Sequence, residues 1–321
     1  MFATELHLRR ADPVGGVSPS LANLARCVPA IGWMEVDALQ GSAHTGLPSD
    51  LFLITVYCSD GLRCGPLGEA HELEVMVTSL RTRPARFQSL GQGQLAVALL
   101  TPLGAMKVLR APLRDITDRR VPLEQLCGRA EQRRLHGLLM SAPTNAQRMQ
   151  VFGRWLESRV LERHVMSVAQ SRVAEASAVL QQPPSTPHDF SALASSLAVT
   201  RRQLERDFRE WMGMPPAGYA RLVRFQQAAA AVAQGTPLVH VAIDCGFADQ
   251  AHLTRTMRQL AGATPMAMRL DAAKPGRAAA RSALAGRVLM LDLAHASTGA
   301  VAANASEASN VCADDWLLEA A

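Results

Sequence analysis

The sequence lacks the motifs that mark common enzymes, secreted proteins and membrane proteins. It contains no H-E-x-x-H helix, no P-loop, no G-x-S-x-G nucleophile turn and no glycine-rich dinucleotide loop. No window approaches the roughly 18 uninterrupted apolar residues of a membrane span. The first residues contain no apolar stretch of signal-peptide length. These absences predict a cytoplasmic protein that is not an enzyme and that has no cofactor, metal site or membrane partner.

Paired cysteines are also lacking. The six cysteines contain no C-x-x-C pair and are scattered along the chain: Cys27, Cys58, Cys64, Cys127, Cys245 and Cys312. This spacing favours free thiols in a reducing compartment over a disulfide framework. Cys58 and Cys64 could approach each other on adjacent strands, but ordinary packing is the favoured interpretation.

Length and composition indicate a folded protein with room for two domains. The chain has 321 residues, is 48% hydrophobic and has a mean hydropathy of +0.04. The net charge of +5 and the isoelectric point of about 9.1 are compatible with an anionic partner but do not require one.

The N-terminal half predicts a mixed β/α domain. Short apolar runs separated by turn residues predict strands at Leu51–Cys58, Leu73–Leu80 and Leu95–Leu100. From Pro122 onward the apolar period lengthens, which predicts one helix over Leu123–Met140 and another that starts near Thr144. Thr144 and Gln147 have the spacing of a capping box.

A metal site in this domain is the enzymatic alternative. His71, Glu72 and Glu74 are the nearby candidate ligands, but they lack an H-x-H pair with a following carboxylate. Strand alternation would also place His71 on the face opposite Glu72 and Glu74. We therefore interpret all three as surface residues.

The C-terminal half contains two segments that follow one template. A helix is predicted near residues 165–180, followed by a proline-rich loop and then by Asp189 or Ser191 as a helix cap. At a constant interval of 49 residues, Leu204, Arg206, Gly213 and Pro216 align with Leu253, Arg255, Gly262 and Pro265. Upstream, Ala194 and Ala198 align with Ala242 and Gly246 at an interval of 48. The turn of the second copy is therefore one residue longer.

Each copy predicts an amphipathic helix with an outward arginine face. In the first copy, Leu204, Phe208 and Trp211 cluster opposite Arg202, Arg206 and Arg209. In the second copy, Leu253, Met257 and Leu260 cluster opposite Ala251, Arg255 and Arg258. A single arginine stripe is usually a solvated face, but the duplicated spacing favours two helix-turn-helix units that read DNA. Between them, Pro216–Gln234 predicts a helix about 28 Å long, which would hold the two reading helices near one DNA turn apart.

Residues 165–270 resemble the DNA-binding domain of AraC/XylS-family transcriptional regulators. The resemblance is carried mainly by the second copy, from Gly246 to Arg255 and from Gly262 to Pro265. Leu253 and Met257 stand where the family usually has phenylalanine, and Met268 stands where tyrosine is usual. All three remain apolar, so we expect the fold to be kept.

The resemblance implies which residues face DNA. In the first copy they are Arg201, Arg202 and Arg206, and in the second Gln250, Ala251, Thr254 and Arg255. Asp249 is interpreted as an N-cap rather than a DNA contact. Gly246 is expected to let the turn between the helices close.

The resemblance also implies the organisation of the whole chain. We expect a mixed β/α domain over residues 1–162, often cupin-like in this family, that senses an effector or dimerises. A DNA-binding all-α domain over 163–270 and a poorly ordered alanine-rich tail over 271–321 would follow. The implied partners are double-stranded promoter DNA, RNA polymerase, a small-molecule effector and a second copy of the chain. The alternative function is a protein-interaction module without specific DNA binding.

Overall fold

The computed structural model describes residues 24–66, 68–162, 165–182, 188–273 and 290–291. In these ranges an antiparallel sheet with covering helices forms an N-terminal domain, and helices form a C-terminal domain. The predicted fold class, mixed β/α followed by all-α, is confirmed. Residues 163–164, at the predicted domain boundary, lie outside the described ranges, and the exact division of the chain stays a prediction.

The N-terminal sheet is organised around one long strand. Its strands are β1 (Ala30–Gly46), β2 (Phe52–Tyr57), β3 (Arg63–Pro66), β4 (His71–Glu72), β5 (Val75–Thr78), β6 (Ala85–Leu100) and β7 (Arg120–Pro122). β1 pairs along one edge of β6, while β3 and β2 pair in succession along the other. β5 pairs with β2, β7 with β5, and β4 with β3.

The strands that the sequence predicted are those that the fold buries most fully. Five of the six residues of β2 and all of the last six residues of β6 are buried, and apart from Thr55 both segments are apolar. The first ten residues of β6 contain two glycines and several polar residues, and β1 contains no long apolar run. The predicted strand at Leu95–Leu100 was therefore too short, and β1 was missed.

Helices cover the sheet and complete the N-terminal domain. They are α1 (Pro102–Leu109), the 3-10 helix η1 (Arg114–Ile116), α2 (Glu124–Cys127), α3 (Arg129–Ser141) and α4 (Asn145–Leu161). The prediction of one helix over Leu123–Met140 was wrong, because Gly128 has a positive φ of 85° and separates α2 from α3. Thr144 caps α4 by accepting a hydrogen bond from the Gln147 backbone N–H, as its spacing predicted. The reciprocal half of the predicted capping box is not formed, because the Gln147 side chain accepts from the Thr144 hydroxyl at 2.9 Å instead of from the Thr144 backbone N–H.

The C-terminal domain consists of seven helices within the described ranges. They are α5 (Val168–Leu180), α6 (Phe190–Ser196), α7 (Arg201–Met212), α8 (Pro216–Ala233), α9 (Leu238–Asp244), α10 (Gln250–Ala261) and α11 (Pro265–Ala272). The predicted long helix after Pro216 is α8, which is 18 residues and therefore about 27 Å long.

Among the described residues, the two largest hydrophobic cores do not coincide with the two domains. The larger core runs from the sheet through α1 and α4 into the C-terminal domain, where it includes Leu193, Leu204, Phe208 and Tyr219. The smaller core contains the apolar faces of α9, α10 and α11 and the second half of α8. Leu47, which follows β1, packs into the smaller core. The first part of the C-terminal domain therefore shares its core with the N-terminal domain.

The predicted tail, residues 271–321, lies outside the described residues except at two places. Residues 271–273 end the C-terminal domain, and Met290–Leu291 forms a short strand, β8, that pairs with Thr45 and Gly46 of β1. Within the part of the chain that the structure describes, no helix is long and apolar enough to cross a membrane. The five described cysteines are free thiols, and four of them are buried.

Candidate nucleic-acid interface

The first helix-turn-helix unit consists of α6, the turn 197–200 and α7. Asp189 caps α6 by accepting hydrogen bonds from the backbone N–H groups of Ser191 and Ala192, at 2.8 and 3.0 Å. Of the two predicted caps, Asp189 is therefore the one used. These bonds hold the pKa of the Asp189 carboxyl below its usual range. Thr200 caps α7 by accepting from the Gln203 backbone N–H, and Gly213 ends it in the left-handed conformation.

The second unit repeats this construction with α9, the turn 245–249 and α10. Asp249 caps α10 by accepting a hydrogen bond from the His252 backbone N–H at 2.6 Å, which confirms its predicted role. Gly262 ends α10 in the left-handed conformation, as Gly213 does for α7. The turn is one residue longer than in the first unit, as the alignment predicted.

The first parts of the two turns have the same backbone geometry. Gly246 has a φ of 70°, which confirms its predicted role in the turn, and Ala198 at the aligned position has a φ of 54°. In the first turn the Val199 N–H donates to the Ala194 carbonyl at 3.0 Å. In the second, the Phe247 N–H donates to the Ala242 carbonyl at 2.8 Å. The aligned positions of the two sequence copies therefore also share backbone conformation and hydrogen bonding.

The inward faces of the reading helices agree closely with prediction. Leu204 and Phe208 of α7 and Leu253, Met257 and Leu260 of α10 are buried. Trp211 is only half-buried, because Met212 occupies the buried position at the end of α7. The three departures from the family pattern, Leu253, Met257 and Met268, are all buried.

The predicted DNA-facing residues of α7 separate into two groups. Arg202 and Arg206 are exposed and line one groove with Arg209 and Gln203. Arg206 donates a hydrogen bond to Gln203 Oε1 at 2.6 Å. Arg201 is also exposed, but it pairs with Glu205 at 3.1 Å on the side of α7 that faces Pro215 and Pro216. The structure therefore brings Arg202 and Arg206 together and leaves Arg201 at the flank.

In the second unit the predicted residues lie on one face of α10. Gln250, Ala251 and Arg255 are exposed, and Thr254 is half-buried with its hydroxyl donating to the Gln250 carbonyl at 2.9 Å. Within the described ranges, Arg202, Arg255 and Arg258 have no carboxylate partner. Their guanidinium groups are therefore available to an anionic ligand.

A buried ion pair that the sequence did not reveal anchors α7. Asp207 lies on the inner side of α7, where Arg172 of α5 pairs with its carboxylate and Gln203 donates to it at 2.6 Å. The side chains of Asp207 and Arg172 are only 6% and 15% exposed. Helical spacing could have flagged Asp207, because it precedes the buried Phe208 and follows Leu204 by three residues. Its partner could not have been identified from spacing.

The N-terminal domain contacts the carboxyl end of α7. The Thr117 hydroxyl donates to the Met212 carbonyl at 3.1 Å, and Arg114 pairs with Glu210 at 2.5 Å. A Cβ atom added at Gly213 would overlap the Thr117 hydroxyl and would lie 3.1 Å from the Arg114 carbonyl oxygen. At Gly262, the aligned position, an added Cβ would meet nothing within 4 Å.

The linking helix α8 is also held by the N-terminal domain. The Tyr219 hydroxyl donates to the Asp50 carbonyl at 3.3 Å, and the Gln226 side chain donates to the Pro48 carbonyl.

Farther along the chain, burial raises the pKa of the Cys245 thiol to about 11, and the neighbouring Asp244 carboxylate adds to the shift.

No group of three His, Cys, Asp or Glu side chains in the described part of the chain could hold a metal ion. Of the earlier candidates, the Glu74 carboxylate accepts a hydrogen bond from Gln132 at 3.0 Å. The side chains of His71 and Glu72 lie outside the described set.

Comparison with known proteins agrees with this geometry. Residues 193–271 match a family model described as a helix-turn-helix domain. The regulator GbdR of Pseudomonas aeruginosa is 30% identical over 110 residues, which are 33% of this chain and 29% of GbdR. A solved AraC-type transcriptional regulator from Chromobacterium violaceum is 29% identical, covers 34% of this chain and 97% of its own, and has a TM-score of 0.32. ToxT from Vibrio cholerae is 10% identical, covers 73% of this chain and 94% of its own, and has a TM-score of 0.39.

Two helix-turn-helix units joined by one long helix define a class of DNA-binding domain. Residues 193–271 of this chain are similar to such a helix-turn-helix domain, and the curated relatives that the region matches are HTH-type transcriptional regulators. The match with GbdR spans less than a third of that protein's length.

Proposed function

We propose that this protein is a transcriptional regulator that binds promoter DNA sequence-specifically, with α7 and α10 each entering a major groove. The observation that carries the proposal is the repeat itself. Both reading helices begin at matched caps, bury matched apolar faces and expose arginine at matched positions, Arg206 and Arg255. Arginine can donate two hydrogen bonds to guanine, and Gln250 can pair in a similar way with adenine.

The test is selection of bound sequences from a random duplex pool. The full-length chain is the right material, because the first unit shares its core with the N-terminal domain. At about 150 mM salt we expect enrichment of two short motifs separated by about one helical turn. Binding to the selected duplex should weaken steeply as salt rises, because phosphate contacts release counterions.

A folded, helical protein that enriches no sequence would contradict the proposal. In that case, retention of an acidic protein partner would support the interaction module. One enriched motif in place of two would show that only one unit reads bases, and the variants described in the Discussion identify which one.

We further propose that a signal at the N-terminal domain adjusts DNA binding and the recruitment of RNA polymerase. Support comes from the contacts of Thr117 and Arg114 with the end of α7, which couple that domain to a reading helix. The measurement is DNA affinity and transcription with purified polymerase across a panel of small molecules. Unchanged affinity and transcription for every compound would count against an effector.

A further inference from the structure

The N-terminal domain places one arginine beside the first reading helix. Arg114 belongs to η1, nearly 90 residues before α7 in the chain, yet its guanidinium pairs with Glu210 at 2.5 Å. Two neighbouring contacts fix η1 at this place: Thr117 donates to the Met212 carbonyl, and Gly213 approaches Thr117 closely. The position of Arg114 is therefore set by the packing between the two domains.

Arg114 lines the same groove as the outward arginines of α7. That groove is bounded by Arg202, Arg206 and Arg209, with Glu210 as its acidic member. Beside the groove, Arg114 also approaches Asp115 at 3.5 Å, and Arg209 approaches Glu205 at 3.7 Å. Four arginines therefore stand against three carboxylates, which leaves the groove with a net positive charge. The side chains of Arg114 and Glu210 are 48% and 46% exposed, which leaves both accessible to a ligand.

The place of Arg114 along α7 corresponds to the border of a DNA groove. The residues near the start of a recognition helix contact base edges, as proposed here for Arg202. Glu210 follows Arg202 by eight residues, or about 12 Å along the helix axis. The major groove is about 12 Å wide, so a group at that distance lies near the phosphates that border the groove.

We propose that Arg114 is a DNA-binding residue that contacts a phosphate at the border of the groove entered by α7. DNA binding by this protein then includes its N-terminal domain. The proposal rests on the DNA-binding function proposed above. Arg114 also compensates the charge of Glu210, which would otherwise repel a phosphate at the same place.

The test measures the salt dependence of binding to the selected duplex, using full-length protein. Arg114→Gln should reduce the magnitude of the slope of log K against log salt by about 0.9, the change expected for one phosphate contact. Affinity should fall equally for all duplexes, with the sequence preference unchanged. Arg114→Lys keeps the charge and should keep the slope. Arg133→Gln is the matched control, because Arg133 is exposed on α3, which packs against α2 and α4.

The double variant separates a phosphate contact from simple charge compensation. If Arg114 contacts a phosphate, Arg114→Gln combined with Glu210→Gln should retain a slope about 0.9 smaller than that of Glu210→Gln alone. A double variant with the wild-type slope and affinity would overturn the proposal, because Arg114 would then only neutralise Glu210.

The wild-type arm distinguishes the two proposals. If the wild-type protein selects no duplex, the proposed function fails and this inference fails with it. If the wild type binds specifically and Arg114→Gln behaves like Arg133→Gln, only the inference fails. Circular dichroism and thermal denaturation of each variant identify any loss of binding that comes from unfolding.

Discussion

The two helix-turn-helix units follow one local template but are held by different surroundings. The first unit contributes Leu204 and Phe208 to the large core that continues into the N-terminal sheet. The second contributes Leu253 and Met257 to a separate core with α8 and α11. Leu47 is the buried residue that the N-terminal domain contributes to this second core.

The difference shows which properties belong to the template and which to the surroundings. The caps, turn bonds and buried faces recur in both units, because they depend on residues within about 25 positions of one another. The buried ion pair at Asp207 and the close approach at Gly213 belong to the first unit alone, since Thr256 and Gly262 occupy the aligned positions. We therefore expect equivalent substitutions in the two units to have unequal effects.

The largest effect is expected at Asp207. Asp207→Ala leaves the Arg172 guanidinium buried without its partner carboxylate, and breaking a buried pair typically costs about 3–5 kcal/mol. Thr256→Ala at the aligned position should cost less than about 1.5 kcal/mol, because it leaves no buried charge without a partner. Urea denaturation of the full-length variants measures both values.

A double substitution tests the reason for that loss. Replacing both partners, by Arg172→Met with Asp207→Leu, should recover most of the stability, because no unpaired charge remains. If Asp207→Ala and Thr256→Ala cost the same, Arg172 and Asp207 do not anchor α7 in the way that the contacts indicate.

The next largest effect is expected at the ends of the reading helices. Gly213→Ala and Gly262→Ala both force alanine into the left-handed conformation, which strains the backbone by about 1–2 kcal/mol. Because alanine loses about 0.5–1 kcal/mol less backbone entropy than glycine on folding, the net cost at an unobstructed site is about 0.5–1 kcal/mol. At Gly213 the added methyl group also overlaps Thr117, and such overpacking adds about 1–3 kcal/mol. The free energy of unfolding should therefore fall at least twice as far for Gly213→Ala as for Gly262→Ala.

Thr117→Ala provides the control for this comparison. It removes the hydroxyl group that the new methyl group would meet, so it should narrow the difference between the two glycine variants. If Gly213→Ala and Gly262→Ala lower the free energy of unfolding equally while Thr117 is intact, η1 can move away from the added methyl group without a loss of stability.

Much of the C-terminal domain and several elements of the N-terminal domain could be predicted from the sequence, because the relevant interactions are local. Spacing identified the caps at Thr144 and Asp249, the longer second turn and the buried faces of α7 and α10. It also identified the strands that are buried on both faces. The predicted DNA-facing set remains a prediction, although the structure shows that Arg201 lies apart from Arg202 and Arg206.

The remaining features depend on contacts between residues far apart in the chain. Thr117 and Met212 are 95 positions apart, and Tyr219 and Asp50 are 169 apart. No periodicity in one sequence records such a pair. The half-polar strand β1 was missed for a related reason: its place is set by its long pairing with β6 rather than by an apolar run.

If each helix-turn-helix unit reads its own bases, substitutions in the two units should relax the DNA sequence preference at two different places. Arg206→Ala and Arg255→Ala should each cost about 1–3 kcal/mol of binding if the arginine donates two hydrogen bonds to a guanine. Each variant should relax the preference at one base pair, in a different half of the selected sequence. Repeating the selection with each variant checks this, with Arg133→Ala as the matched control. A uniform loss across all duplexes would instead make that arginine a phosphate contact.

The smallest effect is expected in the turns, where the first unit departs from the second. Ala198 has the left-handed backbone that Gly246 adopts at the aligned position, and alanine pays about 1–2 kcal/mol for that conformation. Glycine loses about 0.5–1 kcal/mol more backbone entropy on folding, so Ala198→Gly should stabilise the protein by about 0.5–1 kcal/mol. Ala198 is exposed, so little packing is lost. Gly246→Ala should destabilise the protein by a similar amount. If urea denaturation shows that Ala198→Gly raises the free energy of unfolding and Gly246→Ala lowers it, both turns require the left-handed conformation at this position. Two losses would instead mean that the Ala198 methyl group makes contacts worth more than its backbone strain.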